Sequence, residues 1–310
     1  MSDSLNQITQ KRYRYSKKAK KEHKQAYLFV APAVFVSAVF IGLAVLFVIY
    51  LSFHKVNLFK HTYSFLGLDN YARAIKDTTT RVAFKNTLTF SAIVVPTQTF
   101  LALVLASLLN SKIKGKMIFR AIYFLPTLTS SSALTLIFMF MFSVTGPING
   151  FLIKMGWIDV GINFLENPAF ALKVIMAMNI WSTIPFYMTL YLASLQDLPD
   201  SIYESAEIDG AGPVRKFFSI TLPYLKPMTT YVLITGIIGT LQMFDQAYIF
   251  SNGSGGPANS TLTVSLMVYR YAFGTQNAMG FAATLAVMLA VVILLLSILS
   301  NKLNKSDSWY

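Results

Sequence analysis

Residues 27–53 read YLFVAPAVFVSAVFIGLAVLFVIYLSF, a run of 27 without one charged side chain. Wound as an α-helix at 1.5 Å per residue, the run is about 40 Å long and exceeds the roughly 30 Å of hydrocarbon in a bilayer. It is too long for the apolar core of a signal peptide and follows 26 other residues, so it is expected to stay as an anchor. Five further stretches have the length to cross, near 86–109, 118–143, 170–194, 227–250 and 279–301. The short alternating segments of an outer-membrane barrel are absent. The expected fold is therefore an all-α polytopic membrane protein with six transmembrane helices. Its segments would be a basic tail (1–26), a membrane domain (27–301) and a short second tail (302–310).

Composition points the same way. Charged residues make up 13% of the chain, against about 25% in soluble domains. Mean hydropathy is +0.54. The formal net charge is +13. The basic residues flank apolar runs rather than sharing one surface, so they indicate topology and not nucleic-acid binding. There is no cysteine, which excludes disulfide and thiol chemistry.

Lys and Arg concentrate on the cytoplasmic side of membrane proteins. With the N-terminus inside, the cytoplasmic segments hold eight (1–26), four (110–120), three (195–226) and two (301–310), which is 17 of the 26. Both termini are then cytoplasmic, and so is the segment between the fourth and fifth spans.

That segment, 197–227, reads DLPDSIYESAEIDGAGPVRKFFSITLPYLKP. Ser201 followed by Glu204 has the spacing of a capping box, so a helix is expected to start there. Gly210 is a natural stop, and Pro213 suits the first turn of a second short helix. Tyr203, Ala206 and Gly210 fall on one stripe, with small residues beside them, as a surface for close approach of another backbone would require. The same residues read equally as a well-capped loop helix whose Glu204 only closes its own cap.

The spacing then meets a known pattern. Glu204, Ala206, Gly210, Ile220, Leu222 and Pro223 fit the "EAA" loop (E-A-A, three residues, G, nine residues, I-x-L-P) of the membrane subunits of ABC importers, with Ser205 in place of the central alanine. The longer run YESAEIDGAGPVRKFFSITLPYLKP closely resembles the sugar-type importer permeases. FLGLDNYARA after the first span, NTLTFS opening the second, FRAIYFLPTL opening the third and GGP at 255–257 match at corresponding places. The resemblance covers about 27 to 301. It implies a multi-pass protein of the prokaryotic inner membrane, with a cytoplasmic coupling helix that docks on a separate ATPase. Tyr203, Glu204, Ser205, Ala206, Asp209, Gly210 and Ala211 would form that contact, and Glu204 would pair with a basic residue of the ATPase. The implied partners are a second homologous permease as heterodimer, an ATPase dimer and an extracellular solute-binding protein, with a sugar as cargo. ATP and Mg would sit on the ATPase and no cofactor on this chain.

The residues agree with a non-enzymatic role. No G-x-x-x-x-G-K-[ST] loop, no HExxH and no Cys/His metal spacing occurs. Among the spans only Asp245 is an acid well inside, which makes it a candidate for the solute path but offers little for an ATP-independent carrier that needs a proton or sodium relay.

Two polar faces are candidates for a solute path. Gly239, Gln242, Met243 and Gln246 stand at i, i+3, i+4 and i+7 in the fifth span, one helical face. Asn179, Ser182, Thr183 and Phe186 share a face in the fourth, beside Pro185. Amides and hydroxyls can bond sugar hydroxyls, and an aromatic can stack on a sugar ring. The same groups serve equally as interhelical ties. In maltose-type permeases, the positions matching Thr183, Phe186, Gly239, Gln242, Met243 and Gln246 line the cavity. With no basic residue near mid-membrane, a neutral sugar is expected, and a polyol phosphate or anionic saccharide is the alternative.

Overall fold

The structure, a computed structural model, describes residues 17–57, 62–110, 123–274 and 278–303. The chain divides into two units, one ending at Tyr50 and one starting at Leu51. The first is helical: α1 (Lys17–Ser37), a π-turn (Ala38–Gly42) and most of α2 (Leu43–Ser52). Helix α1 already takes in residues 17–26, part of the segment expected as a tail, because a run of Lys, Ala and Glu propagates a helix as well as the apolar run does.

The second unit departs at once from an all-α fold. Strands β1 (His54–Asn57) and β2 (Thr62–Phe65) form an antiparallel hairpin with His54 opposite Phe65. Thr, Tyr and Phe favour the extended backbone, and the four-residue strands are too short to register as an alternating pattern. Helix α3 (Asp69–Lys76) follows. It carries the centre of the FLGLDNYARA motif, whose work is structural. Asn70 Nδ2 donates to the carbonyls of Ser52 (3.0 Å) and His54 (3.1 Å), and the Tyr71 hydroxyl meets Ser52 Oγ at 2.7 Å. These bonds satisfy carbonyls left open where α2 ends.

Helix α4 (Thr78–Asn110) is the longest element and packs along α7 (Ala171–Gln196). Its fully buried Ala83, Ala102 and Ala106 let backbones approach closely. Between them lie a turn of helix at 123–128, α5 (Ser131–Met141) and α6 (Pro147–Lys154). The third expected span, 118–143, is thus interrupted. Ser130 stops one helical piece and starts the next by accepting from Ala133 N at 3.2 Å; residues 118–122 lie outside the described residues. Beyond α6, fully buried Asn149 pins the connection to α7. Its Nδ2 donates to Ser143 O and Ile162 O, and its Oδ1 accepts from Ile162 N, each at 2.9 Å.

After α7 come α8 (Asp200–Ile208), α9 (Pro213–Lys216), a π-turn (Phe217–Thr221), α10 (Leu222–Tyr224), α11 (Lys226–Leu241), α12 (Asp245–Ser251), α13 (Val264–Phe273) and α14 (Met279–Leu303). The fifth span, expected as one helix over 227–250, breaks at residues 242–244. The cause is tertiary: Met243 O accepts from the Thr263 hydroxyl at 3.0 Å, a partner twenty residues away that draws it out of the helical ladder.

Four described stretches are long and apolar enough to cross a membrane: Glu22–Ser52, Thr78–Asn110, Lys226–Ser251 and Met279–Leu303. Helix α7 matches them in length but is diluted by Asn179, Ser182, Thr183 and Thr189. Two apolar clusters hold the second unit. One gathers Phe90, Ile175, Leu241, Leu262, Leu266 and Leu285, and the other Ala106, Met188, Tyr191, Leu195, Leu225 and Val232. The NTLTFS motif ties α4 to the first cluster. Asn86 Nδ2 donates to Asn259 O (2.7 Å) and Leu262 O (3.0 Å), Thr87 Oγ1 accepts from Val264 N (3.0 Å), and Ser91 Oγ accepts from Thr240 Oγ1 (2.8 Å).

Candidate functional site

A cavity of about 390 Å³ opens between residues 126–134, the middle of α7 and the start of α12. Thr127, Thr129, Ser131, Ser182, Thr183 and Tyr187 bring hydroxyls to it, Gln246 brings an amide, and Phe186 brings an aromatic face that is 50% exposed. No charged residue lines it. Four of the hydroxyls donate into the protein: Thr127 to Phe124 O (2.6 Å), Thr129 to Leu125 O (3.1 Å), Ser182 to Asn179 O (3.0 Å) and Thr183 to Gln98 Oε1 (2.7 Å). Ser131 Oγ is different, being buried with no hydrogen-bond partner among the described residues. The wall is thus rich in acceptors and uncharged, and suits a neutral molecule with many hydroxyl donors.

Of the residues singled out in the sequence, Ser182, Thr183, Phe186 and Gln246 meet here. Asn179 is buried behind them with an unpartnered Oδ1. The expectation that Gly239, Gln242, Met243 and Gln246 share one helical face does not hold, because the break after Leu241 resets the helical phase. Met243 is buried, while Gly239 and Asp245 are exposed away from the cavity lining. Gln242 lines a second hollow of about 270 Å³ with Ser265, Val268, Ala286 and Leu289. The sequence reading missed Thr127, Thr129, Ser131 and Tyr187. The signal was the hydroxyl run TLTSSS following Pro126 inside an otherwise apolar span.

A second group of residues lies in the segment joining α7 to α11. Helix α8 starts after Pro199, so Ser201 sits inside it and the capping box does not form. Asp200 in the first turn faces the positive helix end instead, and the Ser201 carbonyl accepts from Ser205 Oγ at 2.8 Å. The stop at Gly210 is as expected. Gly210 adopts φ +76°, Ala211 N donates to Ala206 O (2.8 Å) and Gly210 N to Glu207 O (3.0 Å), the paired bonds of a Schellman close.

Two ties strap α8 to the chain that enters α11. The Lys216 ammonium meets Glu207 Oε1 at 2.6 Å, and the Tyr203 hydroxyl meets the buried Thr221 hydroxyl at 2.8 Å. The stripe expected to face outward is therefore divided: Tyr203, Ala206 and Ala211 are half-buried against the chain itself. The outer face carries Glu204, Ser205, Asp209 and Gly210 with Ile208, which is 87% exposed. Glu204 makes no hydrogen bond or ion pair among the described residues. Ile208 was not singled out, although it is the most exposed large aliphatic of the helix, at 87% against 41% for Ile202.

Residues 98–306 match the family of binding-protein-dependent transport system inner membrane components. The chain belongs to this family. The permease is 37% identical over 274 residues to the lactose transport system permease protein LacF of Rhizobium radiobacter, covering 88% of this chain and 91% of LacF. It is 36% identical over 296 residues to the arabinooligosaccharides transport system permease protein AraP of Bacillus subtilis, covering 94% and 90%. In architecture the permease is similar to a chain in the crystal structure of a bacterial alginate ABC transporter bound to its alginate pentasaccharide-bound periplasmic protein. That likeness has a TM-score of 0.79, 21% identity and coverage of 93% and 96%, and it concerns the fold. The permease is thus a multi-pass inner-membrane transport subunit of an ABC importer, with ATP hydrolysis on a separate subunit.

Proposed function

We propose that this chain is one of two related permeases in an ABC importer for a neutral sugar or oligosaccharide. The observation that carries the reading is the uncharged cavity, where hydroxyls, one amide and the exposed ring of Phe186 converge on a space of saccharide size. The names of the relatives, lactose and arabinooligosaccharide permeases, support the same class. In this reading six helical segments cross the membrane, α5 with residues 123–128 and α7 joining the four long apolar stretches. Both termini are cytoplasmic. Helix α8 is the coupling helix, its outer face of Glu204 and Ile208 docking on the ATPase while the inner ties to Thr221 and Lys216 pass movement into α11. ATP closure would turn the cavity outward to meet a solute-binding protein, and hydrolysis would return it inward. The ATPase dimer alone holds ATP and Mg.

The test is uptake by proteoliposomes that contain the assembled complex and its solute-binding protein, with ATP inside. Labelled lactose, trehalose and arabinotriose are compared with glycerol 3-phosphate and a uronate oligosaccharide. ATP-dependent uptake confined to neutral saccharides is expected. Uptake of the anions alone would overturn the solute class, and full uptake without ATP by the permease on its own would overturn the importer mechanism.

A further inference from the structure

A glutamine outside the cavity is hydrogen-bonded to a hydroxyl of its wall. Gln98 lies in the middle of α4, is 1% exposed and was not singled out by its sequence context. Its Oε1 accepts from Thr183 Oγ1 at 2.7 Å, across 85 residues of chain. Thr183 lines the cavity. Its hydroxyl also lies 2.8 Å from the Asn179 carbonyl, so a single proton is held between two acceptors, both inside the protein. What Thr183 has left to show a solute is lone pairs.

Gln98 stands where it does because of a third helix. A Cβ on Gly236 of α11 would lie 2.8 Å from Gln98 Nε2, closer than real side-chain atoms come, so the amide would have to shift, and in ordinary contact with Val95 Cγ1 at 3.4 Å. Three helices, α4, α7 and α11, therefore meet at one amide. An amide sunk among apolar side chains is retained at a desolvation cost. A simple interhelical tie could be made anywhere along α4, and this one is made to a hydroxyl of the cavity wall.

We propose that Gln98, beside the bare backbone of Gly236, is a positioning residue for solute recognition: together with the Asn179 carbonyl it holds the Thr183 proton inward so that Thr183 meets the solute as an acceptor. A sugar hydroxyl donates to such a group, whereas a carboxylate or phosphate oxygen, itself an acceptor, is repelled. The inference rests on the neutral-saccharide reading above and gives it a mechanism of selection.

The assembled importer in proteoliposomes, assayed with labelled lactose, trehalose and arabinotriose, tests it. Gln98→Leu removes the acceptor, and Gly236→Ala displaces it. Each is expected to raise KM by about fivefold with kcat kept, a size in line with hydrogen bonds between membrane helices. Gln98→Glu, a neutral acid in so apolar a site, still offers an acceptor oxygen and is expected to restore KM to within about twofold of the original. Combining Gln98→Leu with Gly236→Ala should add nothing further, since both act on one bond. KM unchanged in Gln98→Leu would overturn the proposal: with stability and kcat kept, the Asn179 carbonyl alone suffices to hold the proton, and with stability, complex yield and kcat reduced, Gln98 is a packing residue. If the unmodified complex takes up none of the three saccharides, the neutral-saccharide reading fails, and the proposal fails with it.

Discussion

Glu204 and Glu207 are one helical turn apart, and the structure assigns them opposite fates on truncation. Glu207 is bonded within the chain to Lys216 at 2.6 Å, with its side chain 64% exposed. An exposed pair of this kind is worth about 0.2–1 kcal/mol. Glu207→Ala should therefore loosen the loop slightly and weaken ATPase capture by a few-fold at most. Glu204 has no partner among the described residues and stands on the outer face beside Ile208. Glu204→Ala should leave the thermal stability of the isolated permease within about 0.5 kcal/mol, as exposed substitutions do. If Glu204 enters a buried ion pair when α8 docks, removing it strands the partner's charge and weakens docking by about 3–5 kcal/mol, which is at least two orders of magnitude in Kd. The assay is ATPase binding to the permease in nanodiscs, with melting of the isolated permease measured alongside. Equal losses of binding for the two variants, or a Glu204→Ala protein that binds like the original, would refute the reasoning.

Other outcomes follow from single contacts. Asn149→Ala strands Ile162 N, while Ser143 O and Ile162 O each lose one donor but keep Gly146 N and Phe164 N. With about 1–3 kcal/mol for one stranded buried group, melting should report a loss of about 1–3 kcal/mol. Ser131→Ala removes a buried hydroxyl that bonds nothing among the described residues, so the melting temperature should hold or rise while KM for the transported saccharide increases. Gly210→Val forces a branched side chain into φ +76°; a cost of about 1–2 kcal/mol should appear as faster hydrogen exchange at the end of α8. Phe186→Ala, by removing the one aromatic face that is half open to the cavity, should raise KM with little effect on melting.

What could be read ahead of the structure depended on the range of the interaction that decides it. The loop helix and its stop were legible because a glycine entering the left-handed region closes the helix with bonds that reach only five residues back. Its beginning was misplaced by a similar local pattern: Ser201 and Glu204 have the spacing of a cap, but Pro199 turns the chain into the helix earlier. The polar face of α7 was legible for the same reason, since an unbroken helix converts spacing directly into direction. In the fifth span that conversion failed. Gln242 and Gln246 are one turn apart in sequence, yet they line different hollows, because Thr263 takes the Met243 carbonyl from the helix.

The sequence by itself determined that the protein lives in a bilayer and that one segment carries an acidic helix closed by Gly210. Hydropathy summed over a span, and the backbone habits of Gly and Pro, act within a few turns of chain and need no knowledge of neighbours. Only the tertiary structure decided which polar groups share a cavity, which hydroxyls have protons to spare, and that Gln98 reaches Thr183 past the bare backbone of Gly236. Those facts depend on side chains that are far apart in sequence and are brought within hydrogen-bonding distance by the packing of α4, α7 and α11.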